Sequence, residues 1–205
     1  MIALILDTET NGRPKKRGLD YKETTNWPRI TQLSWVLIDA TTGYVYSQHN
    51  HIIKPDGWTV PTVEECTAAG EKNPTFFQDN NISTERCENE GIPIQIVLAL
   101  LINDLTLADI YVNHNLEFDY NVTVAEMERY NMWPKSFVKT LCTMQTTKDI
   151  LKLPGYYGDH KLPSLQELHK YLFTTEFDGN HDAMADVMAT ARCFIELIKR
   201  GHYKI

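Results

Sequence analysis

A chain of 205 residues, 42% hydrophobic and 23% charged, is long enough to bury a sizeable core and predicts a single domain over residues 1–205. A net charge of −7 argues against a broad grip on duplex nucleic acid, but not against an enzyme that engages a strand end through bound metal. Three classes are set aside: no apolar run could span a bilayer, the start lacks the basic lead of a secretory signal, and Cys66, Cys87, Cys142 and Cys193 are too scattered for a zinc site. Reduced thiols in a cytoplasmic protein are the expectation.

In chain order, residues 2–6 are five apolar residues that predict a short strand buried on both faces, ending in Asp7-Thr8-Glu9. A polar, basic loop follows to about residue 26, with a cluster at Lys15, Lys16 and Arg17. Most such cations are solvated surface; some could line a groove for a nucleic-acid backbone. Residues 30–39 and 44–53 alternate around the turn Thr41-Thr42-Gly43 and predict a hairpin. His49 and His51 share one face of its second strand, where a half-exposed surface is the plainer home than a ligand set. Residues 63–69 predict a short helix stopped by Gly70, and 73–91 an irregular polar surface segment. Pro93 starts a helix over 94–102 that is apolar nearly all round, which predicts a buried crossover. A strand at 109–112, a helix at 117–130, a strand at 137–142, and helices at 144–151, 165–173 and 182–199 complete the chain. An antiparallel meander followed by β-α-β crossovers predicts an α/β fold with a mixed five-stranded sheet flanked by helices, the order of the ribonuclease H-like fold.

Asp7 and Glu9 are two residues apart, so along a strand their carboxylates share a face. Two acids held that close repel, and burial beside an apolar strand adds a desolvation cost. A hard cation such as Mg²⁺ or Mn²⁺ between them removes the conflict. Asp119 falls in the first turn of its helix, where unpaired N–H groups favour a negative group. Asp186 lies on the last helix among Ala183, Ala185 and Ala189, and His181 stands five residues before it, just ahead of the helix start. Taken singly, each has an ordinary reading: a strand cap, a dipole partner, a solvated helix face, a surface histidine.

Taken together, Asp7-Thr8-Glu9-Thr10-Asn11-Gly12, His114-Asn115-Leu116-Glu117-Phe118-Asp119 and His181-Asp182-Ala183-Met184-Ala185-Asp186 resemble the three motifs of the DEDDh 3′–5′ exonucleases, which include ribonuclease T and proofreading epsilon subunits. Pro163-Ser164-Leu165-Gln166-Glu167-Leu168 also looks like family sequence. His181, five residues before Asp186, matches the histidine subgroup rather than the tyrosine one. Asn11 stands where many members have a second threonine. The resemblance implies a metal-dependent 3′–5′ exonuclease releasing nucleoside 5′-monophosphates from single-stranded ends, DNA ahead of RNA. It implies two Mg²⁺ or Mn²⁺ ions held by Asp7, Glu9, Asp119 and Asp186, with His181 as general base. Thr8, Thr10, His114 and Asn115 would contact the strand, and Phe118 would contact it or pack beneath the site. Phe76, Phe77 and Ile82 are the candidates for unstacking the terminal base. A polymerase is a further candidate partner that the resemblance implies. The alternatives are an RNA-trimming exoribonuclease of the same fold, a catalytically inert exonuclease-like binding module, and a phosphoesterase acting on small nucleotides.

Overall fold

The first strand, β1 (Ile2–Thr10), lies at the centre of a five-stranded sheet because its alternating side chains feed two cores. The computed structural model describes residues 1–205 except 137, 156, 157, 180, 181 and 205. Leu4 and Leu6 join Leu33, Trp35, Leu98 and Val122 on one side of the sheet. Ala3 and Ile5 join Val36, Val112, Val187 and Phe194 on the other. β1 pairs antiparallel with β2 (Ile30–Asp39), which pairs antiparallel with β3 (Val45–Ile52). On its other edge β1 pairs parallel with β4 (Ile110–Asn113), and β4 with β5 (Lys139–Cys142). The order β3-β2-β1-β4-β5 is the predicted mixed ribonuclease H-like sheet. Phe137, the predicted start of the last strand, lies outside the described residues, and β5 is the shorter stretch beginning at Lys139.

Eight α-helices accompany this sheet among the described residues: α1 (Val63–Ala68), α2 (Phe76–Asp79), α3 (Thr84–Glu90), α4 (Ile94–Leu105), α5 (Leu116–Arg129), α6 (Thr143–Leu151), α7 (Leu165–Phe173) and α8 (Ala183–Lys199). α8 is wedged between two layers. Val187, Ala191 and Phe194 meet the sheet, while Ala189, Cys193 and Leu197 meet Leu165, Leu168 and Leu172 of α7. Burying a side chain such as Phe194 or Leu197 contributes roughly 1.5–3 kcal/mol, so the helix that carries Asp186 is firmly seated. No helix among the described residues is long and apolar enough to cross a membrane, and the four cysteines are free thiols.

Two sequence expectations are corrected. Residues 73–91 are not irregular but hold α2 and α3. Ser83 caps α3, accepting from Arg86 N–H at 3.1 Å, and the flanking Ile82 and Cys87 are buried at the positions of a hydrophobic staple. α4 is not buried all round: Ile94, Val97, Leu98 and Leu101 face the core, but Ile96 and Leu100 are 54% and 39% exposed. The sheet covers one side of that helix only, so its polar–apolar pattern overstates its burial. His49 and His51 sit on the half-exposed strand face expected of them. His49 stacks on Trp35 with ring centroids 4.4 Å apart, beside Asp104, which accepts from Trp35 Nε1 at 2.9 Å and from Ser47 Oγ at 2.6 Å.

Candidate active site

The odd-numbered face of β1, which buries Ala3 and Ile5 under α8, continues outward into Asp7 and Glu9. The same helix brings Asp186 to them, because Asp186 directly precedes Val187, a core contact of α8. One carboxylate oxygen from each of Asp7, Glu9 and Asp186 lies within 4.8 Å of the others. Glu9 is 8% exposed, and Asp7 and Asp186 are half-buried.

What holds α8 in this position is a residue the sequence reading did not single out. Asp182 caps the helix, its Oδ1 accepting from the Met184 and Ala185 N–H groups at 3.1 Å each. Its Oδ2 accepts from Gln32 Nε2 at 3.1 Å, and the same Gln32 amide donates to Asn50 Oδ1 at 2.9 Å. Gln32 is the register partner of Glu9. The cap therefore ties the start of α8 to the strand beside the acids. The signal was present as an Asp at the start of a helical pattern, but its partner on β2 is 150 residues away in the chain.

Asp119 arrives from the other side of the sheet. Asn115 takes a left-handed conformation (φ 76°), a geometry asparagine tolerates, and turns the chain from β4 into α5. Asp119, 3% exposed in the first turn, then accepts from Thr8 N–H at 3.0 Å and Thr8 Oγ at 2.8 Å through Oδ1. Asn113, fully buried on β4, donates from its side-chain amide to the Leu6 carbonyl and locks the strand ends together.

The remaining predicted residues are placed as follows. Thr8 binds Asp119, and Thr10 Oγ donates to Gly12 O at 2.8 Å. His114 bridges Thr143 Oγ (2.9 Å from Nδ1) and Pro163 O (3.0 Å from Nε2), so both ring nitrogens are engaged and the imidazole braces β4 against α6 and the approach to α7. Burial pushes its pKa down to about 4, so it is neutral at physiological pH. Asn115 is exposed, and Phe118 packs against the core under the sheet. His181 lies outside the described residues. Of the residues proposed to meet the terminal base, Ile82 is buried, while Phe76 and Phe77 are half-buried and in edge contact, centroids 5.6 Å apart. Phe77 and Ile82, with Val60, Thr62, Ser83 and Thr84, line a groove of about 400 Å³. Asn11 Nδ2 donates to Thr59 O at 2.8 Å and Val60 N–H to Thr84 Oγ at 2.8 Å, joining the groove to the chain just past Glu9.

The electrostatics say what this arrangement favours. Burial, and then the charges of Asp119, Asp186 and Glu9, hold the Asp7 carboxyl well above the usual range. Burial and the Asp186 and Asp119 charges push Glu9 up to about 8, and burial pushes Asp119 up to about 7 against its Thr8 hydrogen bonds. Crowded acids that resist ionising at neutral pH fit a hard divalent cation. These groups bind protons more tightly in the folded chain than in the unfolded one, so their stabilising effect is full below about pH 4 and is lost as the pH rises through 7 and 8. The metal-free protein should therefore lose stability from about pH 5 to about pH 8, each unit of raised pKa being worth about 1.4 kcal/mol. Glu9→Gln should flatten the decline, and Mn²⁺ should raise the wild-type unfolding temperature more at the upper pH. Thermal melts in EDTA across this range would contradict the account if wild type and Glu9→Gln ran parallel.

The comparisons with known proteins agree with this fold. The RNase_T family model, described as exonuclease, matches residues 74–194. E. coli Exonuclease I, solved in complex with a dT13 oligonucleotide, superposes with a TM-score of 0.70 at 18% identity, over 97% of this chain and 41% of that one. Cell-death related nuclease 4 (CRN-4) superposes with a TM-score of 0.68 at 16% identity, over 98% of this chain and 64% of that one. At such identities the likeness is one of fold, and the chain spans less than two thirds of either neighbour. No curated protein sequence matches it.

Proposed function

The chain belongs to the exonuclease family, and from that premise we propose that it is a divalent-metal-dependent 3′–5′ exonuclease releasing nucleoside 5′-monophosphates from single-stranded DNA. The observation that carries the reading is the meeting of Asp7, Glu9 and Asp186 oxygens within 4.8 Å at the end of the central strand. The polarity and the single-stranded DNA substrate draw support from the resemblance of the three motifs and from Exonuclease I, which was solved on dT13.

Asp7, Glu9 and Asp186 would hold one ion, and Asp7 with Asp119 a second, as Mg²⁺ or Mn²⁺. Bound there, such ions supply a nucleophile at neutral pH and neutralise charge on the leaving oxygen. Thr8 engages Asp119 Oδ1, so Oδ2 is the oxygen that carboxylate offers the site. His181 takes the proton of the attacking water at an imidazole nitrogen, a task suited to a group whose ordinary pKa is about 6.5. The water oxygen bonds to the phosphorus of the last phosphodiester as the bond from that phosphorus to the 3′ oxygen of the penultimate nucleotide breaks, and the leaving oxygen takes a proton from solvent. The exposed Asn115 and the backbone at Thr8 and Thr10 contact the last sugar and phosphate. The groove beside Asn11 takes the terminal base, with the Phe77 ring as its stacking surface and Ile82 beneath.

A 5′-labelled single strand incubated with Mg²⁺ should shorten stepwise to a ladder, with mononucleotide released and EDTA stopping it. A matched RNA strand should shorten more slowly. Faster RNA trimming would reassign the substrate to RNA, and binding without product in Mg²⁺ or Mn²⁺ would mark an inert module and overturn the reading.

A further inference from the structure

The exonuclease reading leaves unused the most basic stretch of the chain. Residues 13–22 carry Arg13, Lys15, Lys16, Arg17 and Lys22 against one acid, Asp20, on a protein of net charge −7. Arg13, Lys15, Lys16 and Arg17 are all exposed. Among the described residues none of these four is paired with a carboxylate, whereas Arg29, Arg86, Arg129 and Arg200 all are. Neighbouring exposed like charges without counter-charges suit an anionic partner.

The stretch is also held rigidly, and it begins at the site. Past Glu9 the β1–β2 pairing is prolonged: Asn11 N–H donates to Arg29 O and Lys15 N–H to Asn26 O, both at 3.0 Å. Asn26, buried, grips the Lys16 peptide from both sides, its Oδ1 accepting from Lys16 N–H at 2.8 Å and its Nδ2 donating to Lys16 O at 3.1 Å. Trp27, seated in the core, donates from Nε1 to Asp20 O at 3.0 Å. Six residues span at most about 20 Å even when fully extended, so Lys15 stands within a few nucleotides' reach of Glu9. Half-buried rings lie alongside: Tyr21 meets Trp133 edge-on, centroids 5.9 Å apart, and Asp20 and Tyr21 bear on the phenol of Tyr120, which directly follows Asp119.

Resting on the exonuclease reading, we infer that residues 13–22 form an arm that grips phosphates of the single strand upstream of the scissile bond, with Tyr21 and Trp133 as ring surfaces for its bases. Cations tracking a backbone beside aromatic faces are the usual means of holding a single strand without reading its sequence. The arm makes substrate length, rather than the chemistry at the end, its concern.

The test is a Lys15→Ala/Lys16→Ala/Arg17→Ala variant, checked by circular dichroism for an unchanged fold. It is assayed on a strand of about 20 nucleotides and on a dinucleotide too short to reach the arm. The variant should raise KM for the long strand at least about tenfold and leave dinucleotide turnover within about twofold. Each lost single-strand phosphate contact lowers the salt slope of binding by about 0.7, so three lower it by about 2. A wild type that hydrolyses both substrates, with a variant matching it in KM and salt slope on the long strand, overturns this inference alone. A wild type that hydrolyses neither overturns the exonuclease reading, and this inference with it.

Discussion

Asp7→Asn is expected to abolish nucleotide release, lowering turnover by at least about 10³-fold, while raising the stability of the metal-free protein. The two effects have one cause. Asp7 sits between the charges of Asp119, Asp186 and Glu9, so its own ionisation is opposed from every side. Asparagine keeps the shape and the strand while removing the group whose ionisation the site opposes. Each pKa unit by which the fold raises Asp7 costs about 1.4 kcal/mol of metal-free stability at neutral pH, and asparagine, which has no proton to bind, is free of that cost. The same substitution removes the one ligand proposed to serve both ions, so Mn²⁺ should no longer raise the unfolding temperature. Wild-type turnover by Asp7→Asn in Mg²⁺ would remove Asp7 from the chemistry. A fall in metal-free stability would show that the acids are not in conflict.

Glu126→Ala should cost on the order of 3–5 kcal/mol, the penalty for leaving buried charges without their partner. For a chain of this size that is a drop of roughly 10 °C in unfolding temperature. The Glu126 side chain is 1% exposed, and its Oε1 meets Arg29 Nε at 2.8 Å and Arg129 Nη1 at 3.0 Å. Both guanidiniums also serve the chain around them. Arg29 donates to Tyr130 OH at 2.8 Å, and Arg129 Nη2 donates to the carbonyls of Thr24 and Trp27 at 2.5 and 2.8 Å. Loss of Glu126 therefore reaches beyond α5, loosening the base of the basic arm. Limited proteolysis should find new cleavage within residues 13–26 of the variant. A loss below about 1 kcal/mol would mean that the cluster is solvated like an ordinary surface pair.

The sheet was legible in the sequence because a strand's pattern answers to its burial. Continuous apolarity marked β1, covered on both faces, and alternation marked the half-exposed β3, whereas β2, read from the same alternation, is buried at nine of its ten residues. The turn into α5 and the Asp at the start of α8 were readable for the same local reason. What escaped was set by partners distant in the chain. α4 looks buried throughout because eight of residues 94–102 are apolar, yet only the side against the sheet is covered. The asparagines of residues 73–91 hid two helices, the second of which carries a local capping signal at Ser83 that could have been used. The acids could be grouped by motif, but their convergence depends on the Asp182–Gln32 contact and on Thr8 receiving Asp119, pairings that no local pattern announces. His114 shows the converse: its motif position suggested a strand contact, while its two hydrogen bonds make it a brace between elements.

The measurement that bears most directly on the site is an anomalous-scattering map from crystals soaked in Mn²⁺. The account predicts a manganese peak within about 2.5 Å of carboxylate oxygens from Asp7, Glu9 and Asp186 together. Manganese found elsewhere, with these three acids empty at a concentration that supports hydrolysis, would contradict it.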